Sequence, residues 1–203
     1  MERDKAEVIK AAAVRVFARE GFYRARMEAV AHEAEVAVGT IYNYFKSKEE
    51  ILLSIFQAEF DEQMPLFDEL QASSLPIPDQ IKQILDKHFC LLRKRKKLAR
   101  VLLQERFNPG TEFTDKLIGF HRQAVKRIEE LIQKGIEQGW VRRCNPSVIA
   151  SALFAVMQSI SICEMSYSPE KASQLIEHAP GELADFIWSG LKKGEADEQQ
   201  VVA

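Results

Sequence analysis

Residues 38–48 read VGTIYNYFKSK. At 3.6 residues per turn, Val38, Ile41 and Phe45 gather on one side of a helix and leave Gly39, Thr40, Tyr42 and Asn43 on the other. That outward side has no charge to keep it wet. It offers a missing side chain, a hydroxyl, a phenol and an amide. A glycine lets backbone approach a partner closely. The hydroxyls of Thr40 and Tyr42 suit phosphate oxygens, and the amide of Asn43 suits a base edge. Lys46 and Lys48 follow at once and supply charge for a phosphodiester backbone. The chemistry of this set is recognition of a duplex, with no bond made or broken. A Lys48 that faces phosphate predicts that Lys48→Ala flattens the salt dependence of binding by about one unit of slope.

Catalytic constellations are absent from the sequence. The four histidines, His32, His88, His121 and His178, are far apart and in no ligand spacing. There is no HExxH, no GxSxG and no phosphate-cradling glycine loop. Glu105 with His88 and His121 is the one set that a helical bundle would bring together around a metal. A polar pocket lining or ordinary core hydrogen bonding is the preferred reading of those three. No catalytic residue, metal or cofactor is expected.

The elements that position the outward face are short. Met27, Val30, Ala31 and Ala34 have the i, i+3, i+4, i+7 spacing of one apolar helix face. Glu35-Val36-Ala37 form a turn, and a second helix covers residues 38–44. Two helices joined by so short a turn are the geometry that lays a helix in the major groove. Ser47-Lys48-Glu49-Glu50 is a capping box, which opens a third helix. Its free amides lie beside Lys48, and helix N-termini attract phosphate. Ahead of the pair, residues 4–20 form a helix with Val8, Ile9, Ala12, Ala13, Val16 and Phe17 as its apolar stripe, stopped at Gly21.

At this point VGTIYNYFKSKEEIL resembles the recognition and linker helices of the TetR family of bacterial transcriptional repressors. FAREGFYRARMEAVAHEAEVA is similar to that family's first two helices. The resemblance implies an all-α protein with an N-terminal three-helix DNA-binding head and a C-terminal helical body for ligand binding and dimerisation. It places Thr40, Tyr42, Tyr44 and Lys48 on DNA. With the residues read above, the full interface set is Arg26, Val38, Gly39, Thr40, Tyr42, Asn43, Tyr44, Lys46 and Lys48. Three positions depart from the family pattern. Glu35 stands where the turn usually has glycine, at a cost of roughly 1 kcal/mol if the turn is left-handed. Ala37 and Arg26 stand where hydroxyl residues usually cap the recognition helix and the second helix, and a lost cap costs about 1 kcal/mol.

The rest of the chain reads as a helical body. The third helix runs from Ser47 to Pro65, and residues 73–78 form a break. Further helices are expected over residues 79–95, 98–107 and 112–138, then from Asn145-Pro146 and from Ser168-Pro169, the last interrupted at Pro180-Gly181. The stretch from Cys144 to Cys163 has no charged residue. Its serines, Asn145 and Gln158 favour a buried helix at a subunit interface over a membrane span. The expected division is a head at 1–48, a body at 49–194 and a polar tail at 195–203.

Composition is compatible with this. Apolar content of 46% with 9 glycines and 7 prolines in 203 residues suits a compact helical chain. Residues 1–48 hold nine basic and seven acidic side chains, a net +2, against −2 for the whole chain and so −4 for the remainder. The asymmetry has the sign that DNA binding needs. Three widely spaced cysteines with no CxxC pair read as reduced thiols, and no signal peptide opens the chain. A cytoplasmic protein is expected. The basic run at 93–97, with Arg100, reads as a solvated helix C-terminus, with a second nucleic-acid contact or attraction of an anionic effector as alternatives.

The resemblance also implies a ligand cavity and a homodimer in which the last two long helices pair with a second subunit. Phe89, Leu92, Leu103, Phe107, Leu117, His121, Phe154 and Met157 are its candidate pocket residues. KHFCLLRKRKKLARVLLQE is similar to the fatty-acyl-CoA-responsive branch, which makes a long-chain acyl-CoA the small hydrophobic effector to test first. The expected function is a ligand-responsive repressor on a palindromic double-stranded operator. The rival is a helical small-molecule- or metal-binding enzyme with a vestigial head.

Overall fold

Helix signals dominate the chain, and the structure follows them. It is a computed structural model that describes residues 2–104 and 112–194, less the side chains of residues 2–4, 92, 103, 104, 112–114, 161–166 and 169. Nine helices and no strand occur among the described residues: α1 Glu2–Glu20, α2 Met27–Glu33, α3 Val38–Tyr42, α4 Lys48–Ala72, α5 Ile77–Lys94, α6 Lys96–Gln104, α7 Glu112–Glu137, α8 Pro146–Ser166 and α9 Pro169–Leu191.

The helices form two compact units, which divide the chain differently from the expected boundary at residue 48. The first holds the chain up to Glu62 and Arg95–Phe120; the second holds Gln63–Lys94 and the chain from His121 onward. In the first unit α1 packs on α2 and α6, and α2 packs on α3. Ile9, Ala12, Ala13, Val16 and Phe17 are buried there, with Val30 and Ile41 opposite. Val8, expected in that stripe, is exposed. In the second unit α5 and α8 pack on α9.

Two prolines expected to stop helices do not. α4 continues through Pro65 to Ala72, and α9 continues through Pro180 to Leu191. An interior proline costs about 3 kcal/mol. Continuing the helix buries Phe67 and Leu70 after Pro65, and Leu183, Ala184 and Ile187 after Pro180. A buried large apolar side chain returns about 1.5–3 kcal/mol, so burial outweighs the break.

The end of α7 is fastened to the end of α9. The N–H groups of Trp140 and Val141 both donate to the Gly135 carbonyl at 3.0 Å, and Arg142 N–H donates to the Leu191 carbonyl at 2.9 Å. Lys193 N–H returns to the Trp140 carbonyl at 3.2 Å, and Arg142 Nε donates to the Gly190 carbonyl at 2.8 Å.

The turn between α2 and α3 has the strain that its sequence implies. Glu35 has φ of 55°, the one left-handed non-glycine residue among those described. Ile41 is buried and α3 ends at Tyr42, two residues earlier than expected, where Asn43 and Tyr44 N–H make the tighter three-residue return to the carbonyls of Thr40 and Ile41 at 3.3 and 2.9 Å. Glu35→Gly is expected to relieve the left-handed strain and raise stability by about 1 kcal/mol, read as a higher urea midpoint with an unchanged slope. A neutral or lower midpoint would show that the glutamate is at ease in this turn.

Candidate nucleic-acid interface

Neither helix of the pair is closed by its own cap. Arg26 and Ala37 occupy the N-cap positions of α2 and α3 with extended backbone, and neither side chain bonds a helix amide. The pair is held from outside instead. Arg15 Nε donates to Glu33 Oε1 at 2.5 Å and Arg19 Nη1 to Glu33 Oε2 at 3.2 Å, so one carboxylate on α2 takes two arginines from α1. Arg15 also reaches the Glu33 carbonyl at 3.3 Å.

These hydrogen bonds, Arg15's first, hold the Glu33 carboxyl below its ordinary range. A carboxylate depressed by folding stabilises the fold fully above its unfolded pKa, and that share is lost as pH falls through the folded value. Wild type is therefore expected to melt above Glu33→Gln at neutral pH, with the gap closing below the ordinary glutamate range near about pH 4.3. Parallel melting curves down to strong acid would contradict this.

On the far side of α3 lies the face expected from the sequence. Tyr42 is 51% exposed. Gly39, Asn43, Lys46 and Arg26 are exposed, and Val38, Thr40 and Tyr44 are half-buried. Among the described residues, Arg26, Thr40, Tyr42, Asn43, Tyr44 and Lys46 make no side-chain hydrogen bond or ion pair. Most of the other cations of residues 1–48 are committed: Arg15 and Arg19 to Glu33, Arg24 to the Glu20 carbonyl at 3.0 Å, Lys10 to Glu7 at 2.6 Å. Arg26 and Lys46, unpaired, stand on either side of the outward face in sequence.

Gly39 has no internal reason to be glycine. Its φ is not positive, and a Cβ built there meets no atom within 4 Å. A glycine inside a helix costs about 1 kcal/mol relative to alanine, and nothing in the fold offsets it.

Lys48 is held within the free head. The capping box forms, with Glu50 N–H donating to Ser47 Oγ at 3.3 Å and Lys46 N–H donating to Glu50 Oε2 at 2.6 Å. It opens α4 at Lys48. Lys48 Nζ donates to the carbonyls of Phe22 and Tyr23 at 2.9 Å and of Ala25 at 3.2 Å. It also lies 4.8 Å from the centre of the Phe22 ring. These are the partners of the Lys48 ammonium in the free protein. Lysines are easily read from sequence as phosphate ligands, and no local signal announces three carbonyls converging from residues 22–25.

The second unit holds a small apolar cavity of about 50 Å³, lined by residues that include Ile77, Ile81, Ile84, Leu131, Leu153 and Met157. Of the expected pocket residues, Met157 lines this cavity. His121 lines a separate open groove of about 760 Å³ among charged residues of α7, and its ring meets Phe154 edge-on at 4.6 Å. Phe89, Leu117 and Phe154 are buried, Leu117 in the first unit and the others in the second. The side chains of Leu92 and Leu103, and all of Phe107 and Glu105, lie outside the described residues. On α5, nothing in the sequence marks Ile77, Ile81 and Ile84 as cavity lining rather than packed core. Among the described residues no group of three His, Cys, Asp or Glu is placed to hold a metal, and no helix is long and apolar enough to cross a membrane. In the basic run, Arg95 pairs with Glu62 at 2.6 Å and Glu59 at 3.4 Å, while Arg93, Lys94, Lys96, Lys97 and Arg100 are exposed.

Comparison with known proteins agrees with the head. Residues 9–55 match the family described as bacterial regulatory proteins, tetR family, and residues 74–162 match the tetracyclin repressor-like C-terminal domain. The HTH-type transcriptional regulator YhgD of Bacillus subtilis is 32% identical over 153 residues, 74% of this chain and 78% of that protein. The fatty acid metabolism regulator protein of the same organism is 29% identical over 141 residues, 70% of this chain and 73% of that one. The crystal structure of the Bacillus subtilis transcriptional regulator FadR in complex with stearoyl-CoA shares the fold, with a TM-score of 0.82 at 23% identity over 91% of this chain and 98% of that one. None of these matches supports the rival reading as an enzyme. The chain belongs to the TetR family of bacterial transcriptional regulators.

Proposed function

We propose that this regulator is a homodimeric repressor whose head, residues 1–48, seats the α3 face in the major groove of a palindromic operator. The observation that carries the reading is Gly39, a helix glycine with open space around it and no conformational need, on a face of uncommitted donors. Close approach of duplex DNA supplies the missing reason. Thr40, Tyr42 and Tyr44 then bond phosphate oxygens, Asn43 reads a base edge, Val38 packs against the groove, and Arg26, Lys46 and Lys48 neutralise phosphate.

The dimer reading is supported by α8. Val148 is 62% exposed, and Ala152, Ala155 and Ser159 continue an uncharged exposed stripe along the helix. Two heads on a two-fold axis require two half-sites. Phe89, Leu92, Leu103, Phe107, Leu117, His121, Phe154 and Met157 remain the proposed effector contacts in the body. A long-chain acyl-CoA is the proposed effector, since a relative's name and the ligand in a structure of the same fold both point to fatty acids. It acts by population shift, binding better to dimers whose heads are wrongly spaced for the operator. By reciprocity, operator weakens effector binding by the same factor. Such a protein works in the cytoplasm, beside its DNA.

The test is to select genomic fragments with the purified chain, then add stearoyl-CoA in a mobility-shift assay. Release of the fragment is expected. Retained complex at saturating ligand would exclude this effector, and failure to enrich any duplex would end the DNA reading.

A further inference from the structure

Gln80 stands in the first turn of α5, 3% exposed, with its amide half used. Nε2 donates to the Leu75 carbonyl at 2.7 Å, while Oε1 is buried with no hydrogen-bond partner. The Leu75 carbonyl fixes which way the amide is turned, since exchanging its two ends would set acceptor against acceptor. Gln80 also lines the cavity of about 50 Å³ in the second unit. Among the described lining residues it is the one that is not Ile, Leu, Val or Met. We propose that this cavity is a binding subsite for the end of an aliphatic chain that carries a hydroxyl, and that the hydroxyl donates to Gln80 Oε1. This rests on the reading of the body as effector-binding, and it gives that effector a terminal hydroxyl.

Size and polarity together select the guest. The volume exceeds the roughly 10–15 Å³ that one water needs. A buried water also takes about two to four polar partners, and the described lining offers one polar side chain. A hydroxyl on a carbon chain asks for less. It spends its one proton on Oε1, and its carbons have Ile81, Ile84 and Met157 for company. An acid or an amine would bring charge into apolar surroundings at a large cost. A plain chain end would fill the space and leave Oε1 unpaired. Oε1 has already lost its water in the folded chain, so pairing it costs only the dehydration of the guest. The walls keep the space open. Val141 N–H is held by the Gly135 carbonyl at 3.0 Å and the Leu191 carbonyl by Arg142 N–H at 2.9 Å, which fixes two lining residues through their backbones. Met157, a proposed effector contact, lines the cavity as well. Gln158 Oε1 is the other buried side-chain oxygen without a partner among the described residues, and Gln158 is not in the lining.

Small probes test the site on the full-length chain without DNA. n-Butanol and n-butyl chloride are close in shape, and only the alcohol donates a hydrogen bond. Each is titrated into protein with isotope-labelled Ile and Met methyls, as wild type, Gln80→Met and Gln158→Met, and followed by magnetic resonance. Both probes are expected to shift the methyls of Ile81, Ile84 and Met157. The ratio of alcohol to chloride affinity is expected to be about tenfold higher in wild type than in Gln80→Met, the usual worth of one hydrogen bond, and unchanged by Gln158→Met. In wild type, n-butanol is expected to move the carboxamide carbon signal of Gln80 and n-butyl chloride to leave it in place. Equal ratios in wild type and Gln80→Met would overturn the proposal. So would cavity methyls that neither probe shifts, or a Gln80 carboxamide that holds a bound water and keeps it. If Gln80→Met does not fold, the wild-type carboxamide signal still decides. Operator release then shows whether the hydroxyl belongs to the effector. ω-Hydroxypalmitoyl-CoA is expected to release the selected operator at about a tenth of the concentration that palmitoyl-CoA needs, in wild type and not in Gln80→Met. Probe discrimination with no release by either ester would end the acyl-CoA reading and leave the subsite standing. Release by both esters alike, with no probe discrimination, would keep that reading and end the subsite.

Discussion

Gly39→Leu is expected to fold, to melt no lower than wild type, and to lose operator affinity by about a hundredfold or more, roughly 2.8 kcal/mol at a factor of ten per 1.4 kcal/mol. Stability and binding separate here because the two surfaces of α3 are separate. Inward, Ile41 is fully buried and Phe45 nearly so, and neither touches position 39. Outward, a side chain at 39 projects into open space. The helix gains up to about 1 kcal/mol from losing a glycine, while four added carbons stand where backbone must meet the groove. Gly39→Ala is the smaller step, with the same direction in both readouts. A thermal melt and an operator titration on the same preparations suffice. Full binding by Gly39→Leu would mean that this face does not seat against DNA.

Gly135→Ala is the reverse case, a glycine that the fold does require. An added Cβ would lie 2.6 Å from Val141 Cγ2, 3.4 Å from Val141 Cβ and 3.5 Å from Ile77 Cδ1. The backbone of Val141 is pinned. It is buried, its N–H is held by the Gly135 carbonyl, and the next residue is held by Leu191. Overpacking of this kind costs about 1–3 kcal/mol, and the upper end is expected because backbone bonds pin the neighbour. Urea unfolding followed by circular dichroism should show the loss. Adding Val141→Ala removes the obstructing methyl, so the double variant should be more stable than the sum of the two single losses predicts. Strict additivity, or no loss from Gly135→Ala alone, would show that the contact relaxes freely.

The two glycines illustrate how far the sequence could be read. Periodicity placed the buried faces of α1, α2 and α3, because side-chain spacing and burial are the same fact on a helix. The capping box placed the start of α4 to within one residue, at Ser47 against the observed Lys48. Helix ends were harder where a breaker competes with burial. Pro65 and Pro180 read as stops, yet Leu70 and Ile187 beyond them carry more weight through the core. Glu35 and Ala37 were legible as departures, and the strain and the empty cap are both present. The free-state partners of Lys48 were not legible because they are backbone carbonyls 23–26 residues away, which leave no mark in composition or spacing. The cavity lining was illegible for a simpler reason: Ile81 beside a void and Ile176 in packed core are the same residue type on the same kind of stripe.

The fastening between the ends of α7 and α9 has a practical corollary. Both indoles of the chain belong to it: Trp140 accepts from Lys193 and Trp188 accepts from Lys192 through their carbonyls. Emission from these two rings therefore watches the second unit alone, while the first unit, whose phenols are Tyr23, Tyr42 and Tyr44, is dark at wavelengths that spare tyrosine. A melt recorded by emission and another recorded by total helicity will superimpose only where both units lose their structure in one cooperative step.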